Sequence, residues 1–71
     1  MSMGTFAERL DAYMVVKHMS RSAFADSVGI ARSTVENWVL NDAEPNMRAM
    51  RRLVEATGIS ADWWLGVRND R

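Results

Sequence analysis

Two short helical patterns joined by three residues are what most constrain this chain. Arg21 to Val28 and Arg32 to Leu40 each carry apolar side chains at helical spacing, with only Gly29, Ile30 and Ala31 between them. So short a link forces the two helices to cross steeply. Ala25 sits where they touch, and a larger side chain there would push them apart. Gly29 makes the turn, because glycine takes the left-handed conformation at little cost. Ile30, Val35 and Trp38 lock the later helix onto the earlier one. Arg32, Ser33, Glu36 and Asn37 are then left on its outer face.

The same reading extends along the chain. Thr5 and Glu8 form a capping box, each satisfying a backbone N–H that the helix start leaves unpaired. Phe6, Leu10, Tyr13 and Met14 follow at i, i+4, i+7 and i+8 on one face. Lys17 and His18 fall in the last turn, where positive charge suits the helix dipole. Ser20 caps the second helix, and Asn41 is expected to take the left-handed position after the third. Asn46 caps a fourth helix ending at Gly58, with Met47, Met50, Leu53 and Val54 as its apolar positions. Ser60 caps a short fifth, Ala61 to Leu65. No alternating strand pattern occurs. The expected fold is all-α, a compact five-helix bundle forming a single domain over residues 1–71. Its core spans about residues 5–66, and the steeply crossed pair spans 21–40. Met1 and Met3 read as frayed.

Composition excludes several classes. A chain of 71 residues holds one core at most, and 48% hydrophobic content excludes a disordered tail. Without cysteine there is neither a disulfide framework nor a thiolate metal site. No apolar run approaches the roughly 18 residues of a membrane span, and Met1 to Arg9 lacks the pattern of a signal peptide. A soluble, cytoplasmic protein with no membrane partner is expected. There is no glycine-rich phosphate loop, no HExxH and no second histidine beside His18. No enzyme, cofactor or metal is therefore expected, and no second domain builds a small-molecule pocket. His18 reads as a polar surface residue and the methionines as core filler. Nine basic and nine acidic side chains cancel, so any attraction for phosphate must be local.

The outer face of the third helix carries the chemistry of base edges. Arg32 can donate two hydrogen bonds to guanine N7 and O6, and Asn37 can pair with adenine N6 and N7. Ser33 can reach several edges, and an outward Thr34 methyl can touch thymine. Glu36 is open between accepting from cytosine N4 and orienting Arg32 as an i, i+4 partner. Arg21 and Ser22, at the start of the second helix, can anchor a phosphate together with the helix dipole. Lys17, Asn41 and Arg48 are further phosphate candidates. Arg48, Arg51 and Arg52 form a stripe on the fourth helix that is equally explained as a solvated face pairing with Glu55. Trp63 is expected in the core. Trp64 is expected as an anchor for self-association or as a lid on the core edge.

The run RSAFADSVGIARSTVENWVLN resembles the helix-turn-helix of the lambdoid phage repressor and Cro family. Ala25, Gly29, Ile30, Val35 and Trp38 occupy that family's signature positions, and ATGISADWWLG is similar to its fifth-helix segment. The resemblance covers roughly Phe6 to Gly66. It implies a DNA-binding domain that takes a palindromic double-stranded operator as a homodimer and regulates transcription, as a repressor, in a bacterial or phage-infected cell. Arg21 falls where the family often has a phosphate-contacting glutamine, and Arg32, Ser33 and Asn37 fall at base-reading positions. Three departures stand out. The Met14 and Val39 positions hold an arginine–glutamate pair in many members, and here an apolar contact is expected instead. The loop after the third helix, often basic, holds Asp42 and Glu44. Many phage repressors also carry a separate C-terminal dimerisation domain, and none is read in these 71 residues. The rival reading is a protein-interaction or antitoxin-like module using the Trp63–Trp64 end.

Overall fold

The structure, a computed structural model, describes residues 5–66. Met1 and Met3 lie outside that range. Five helices follow one another: α1 (Phe6–Lys17), α2 (Arg21–Val28), α3 (Arg32–Asn41), α4 (Met47–Thr57) and α5 (Ala61–Leu65). No strand occurs among the described residues, and none of these helices is long and apolar enough to cross a membrane.

Local side-chain chemistry sets the helix starts. Thr5 Oγ1 accepts from the Glu8 N–H at 3.1 Å, while Glu8 Oε1 accepts from the Thr5 N–H at 3.2 Å. Ser20, Asn46 and Ser60 cap α2, α4 and α5 in the same way, accepting from Ala23, Ala49 and Trp63. Only α3 begins without a side-chain cap, at Ala31. Two ends differ from expectation by one residue. His18 closes α1 from outside it, with φ 57°. Asn41 is the last residue of α3, and Asp42, also at φ 57°, takes the left-handed position. Asparagine and aspartate both tolerate that conformation, so composition alone does not choose between the two.

α3 packs on both α1 and α2, α2 also on α4, and α5 bridges α1 and α4. The core holds Phe6, Leu10, Met14, Phe24, Ala25, Val28, Val35, Trp38, Leu53 and Trp64. A chain of packed rings runs through it. Phe24 meets Tyr13 at 5.7 Å between centroids, Tyr13 meets Trp64 at 5.5 Å, Trp64 meets Phe6 at 5.9 Å and Phe6 meets Trp38 at 5.3 Å. The rings thus tie α3 through α1 to α5. Met14 is buried and Val39 packs against the same core, so this part of the domain is apolar throughout.

The structure corrects three burial expectations. Trp64, expected as an anchor for self-association or as a lid on the core edge, is fully buried at 0% exposure, whereas Trp63, expected in the core, is 37% exposed. Ser60 sets the register of α5 so that Trp64 points between α1 and α4, and Trp63 lies outside it under the Arg9 guanidinium, 5.3 Å from its ring. A buried ring offers nothing to a partner, so the self-association role expected of Trp64 does not stand. Met47, expected in the core, is 82% exposed. It is the first helical residue of α4, and helical side chains lean toward the N-terminus, which carries Met47 past the core.

Gly29 closes α2 and opens the three-residue link to α3. Its φ is +72°, and its N–H and that of Ile30 bond back to Asp26 and Ala25. A Cβ added there would lie 3.3 Å from Arg52 Nη1. Gly29→Ala should therefore lower stability by roughly 1–2 kcal/mol, the cost of a left-handed non-glycine residue, in a urea denaturation. Gly58→Ala, at φ +74° with open space around it, should show the backbone cost without the contact.

Candidate nucleic-acid interface

α3 turns Val35 and Trp38 into the core and packs Val39 against it. The opposite face is formed by Ser33, Asn37, Leu40 and Asn41, all exposed, with Arg32 and Glu36 along one flank. Thr34 is half-buried on the other flank.

Two i, i+4 pairs organise this face. Arg32 Nε donates to Glu36 Oε2 at 3.1 Å, the one ion pair among the described residues. The contact uses Nε and leaves both terminal guanidinium nitrogens free. Glu36 is thereby engaged in orienting Arg32, one of its two expected roles. Asn41 Nδ2 donates to Asn37 Oδ1 at 2.6 Å, leaving the Asn37 amide nitrogen free. Both pairs reduce the rotamer freedom that a base contact would otherwise have to freeze.

Arg21 and Ser22 are exposed at the start of α2, beside the Ser20 cap. Arg21 lines an open concavity of about 480 Å³ together with Ser20, His18, Met14 and Asp11. His18 was legible only as a surface residue, yet it stands next to the Arg21 site. Lys17 does not. It borders a separate groove with Ile59 and Trp63 on the α5 side, and its Nζ lies 5.9 Å from the centre of the Tyr13 ring. Arg48, Arg51 and Arg52 share a concavity with Glu55, but no arginine–glutamate ion pair forms there among the described residues. Arg52 instead reaches the Gly29 turn, where its charge suits the C-terminus of α2. Sequence spacing missed that contact, because it depends on how α4 docks on α2.

Asp42 and Glu44 are exposed just beyond α3. Negative charge there repels anionic groups and sets this loop apart from the helix starts that carry Arg21 and Arg48. Among the described residues no group of three or more histidines and carboxylates converges as a metal site would.

A second apolar surface lies between α4 and α5. Met47, Met50, Val54, Ala61 and Leu65 line a groove of about 620 Å³, with Arg51 and Glu55 at its edge.

The comparisons with known proteins agree with this geometry. The helix-turn-helix family model matches residues 13–64. An HTH-type transcriptional regulator of Haemophilus influenzae, itself uncharacterized, is 34% identical over 58 residues. The match takes in 82% of this chain but only 24% of that relative, so the chain spans about a quarter of its length. No solved structure matches.

Proposed function

The chain belongs to the helix-turn-helix family of the phage repressor and Cro type, and from that premise we propose that it binds a specific double-stranded DNA sequence and regulates transcription as a repressor. α3 enters the major groove with its N-terminal residues leading. The observation that carries this reading is the outer face of α3, where Arg32 is oriented by Glu36 and Asn37 by Asn41. Arg32 reads guanine, Asn37 adenine, and Ser33 and Thr34 neighbouring edges; Glu36 acts through Arg32. Arg21, Ser22, Asn41 and Arg48 hold phosphates. Lys17, drawn to the Tyr13 ring, is left out of that set.

The binding unit is a homodimer on a palindromic operator. The α4–α5 groove favours this, because a twofold contact must be self-complementary. An apolar patch edged by one cation and one anion, Arg51 and Glu55, can meet its own copy. The rival reading, a protein-interaction module, rests on the apolar groove formed by Tyr13, Val16, Ile59 and Trp63 and no longer on Trp64.

In vitro selection from random duplex DNA tests the proposal. A palindromic consensus with half-sites about 34 Å apart, one helical turn, is expected. A pool that never converges would refute sequence-specific binding. On the selected site, Arg21→Ala should weaken specific and random DNA alike and reduce the salt slope by about 1, as loss of one phosphate contact does, in fluorescence anisotropy titrations at several salt concentrations.

A further inference from the structure

Leu40 is the one large apolar side chain on the polar face of α3. It is 63% exposed, and it lies seven residues from Ser33 and three from Asn37, which puts all three on one helical stripe. The core does not claim it, since Trp38 and Val39 just before it already fill the inner face. No charged group of α3 reaches past it: the only cation of the helix, Arg32, is held at the other end by Glu36.

We infer that Leu40 is a specificity-determining residue, reading the C5-methyl group of a thymine. The inference rests on the proposed major-groove binding of α3. On that reading, the stripe bearing Ser33 and Asn37 faces the floor of the groove, and Leu40 faces it too. The floor is polar except for the thymine methyl, the only apolar group the base edges present there. A leucine set against cytosine N4 or adenine N6 would strip water from a donor and return no hydrogen bond, which is unfavourable. Against a thymine methyl both partners lose only apolar hydration. Leu40 stands roughly 10 Å along the helix axis from Ser33, at 1.5 Å per residue. Its thymine therefore lies toward the end of the half-site away from the bases read by Arg32 and Ser33. The selectivity is sharper for the acidic Asp42 and Glu44 just beyond: they bring no phosphate contact to the C-terminal end of α3 that would mask the apolar one.

The test replaces each thymine of the selected site, one position at a time, by deoxyuridine. This removes the methyl group and preserves Watson–Crick pairing. At the thymine covered by Leu40 in each half-site, wild-type protein is expected to lose about fourfold in affinity, the value of one buried methyl-sized group, besides any loss at a thymine touched by Thr34. Leu40→Ala should bind the unmodified site about fourfold more weakly and show no further loss at that same position, while losses at other positions persist. Because Leu40 is exposed, the variant should melt with the wild type, which a circular-dichroism scan checks. No deoxyuridine effect in the wild type, or an equal effect in Leu40→Ala, would overturn the assignment while leaving DNA binding intact. A pool that fails to converge would instead overturn the major-groove reading on which it rests, and this assignment with it.

Discussion

Trp64→Ala should destabilise the domain by roughly 3–5 kcal/mol, the range for truncating a buried aromatic side chain. In a chain of 71 residues that is comparable to the whole stability a single small core supplies, so the variant should be largely unfolded at room temperature. Trp64 touches the rings of Phe6, Tyr13 and Trp63 and is the keystone between α1, α4 and α5. Its indole Nε1 is buried without a hydrogen-bond partner among the described residues, so its contribution is packing. Trp64→Phe should accordingly retain most of the stability. Trp63→Ala removes a side chain that is 37% exposed and should cost far less. Far-UV circular dichroism and urea denaturation of the three variants separate these outcomes. Similar melting of the Trp63 and Trp64 alanine variants would mean that α5 is not seated as described.

Arg32→Ala should cost about 1–3 kcal/mol on the selected DNA site and relax preference at one base pair, the effect of losing a bidentate guanine contact. Asn37→Ala should do the same at a different base pair. The two differ in what supports them. Glu36→Gln removes the charge that holds the Arg32 Nε and should weaken guanine preference without shifting it to another base. Asn41→Ala frees the Asn37 carbonyl and should soften the adenine preference. Each variant is compared on the selected and a random duplex. If Arg32→Ala loses equally on both, Arg32 holds a phosphate and does not read a base.

The helix starts were legible in the sequence because caps are local. Thr5 with Glu8, and Ser20, Asn46 and Ser60, each bond to a backbone N–H three residues on, and a three-residue pattern is visible in one chain. The tight turn between α2 and α3 was legible for the same reason: Gly29 falls at the start of a link of only three residues, Gly29 to Ala31. α5 was not. Five residues make little more than one turn, so periodicity cannot say whether Trp63 or Trp64 faces inward. That choice depends on the docking of α5 against α1, as the Arg52 contact at Gly29 depends on that of α4 against α2. On the outer face, the Arg32–Glu36 pair followed from i, i+4 spacing. The Asn37–Asn41 pair has the same spacing, but reading Asn41 as a helix end concealed it. Leu40 closes the apolar run Trp38–Val39–Leu40, and spacing alone does not show that it turns outward.

The central claim is sequence-specific recognition of duplex DNA by α3. It is tested most directly by the affinity of the wild-type protein for its selected duplex and for a scrambled duplex of equal length, both at about 0.15 M salt. The selected duplex should bind at least about a thousandfold more tightly, the lower end for specific DNA recognition, and both affinities should fall steeply as salt is raised. Equal affinity for the two duplexes, or no salt-dependent binding to either, would contradict it.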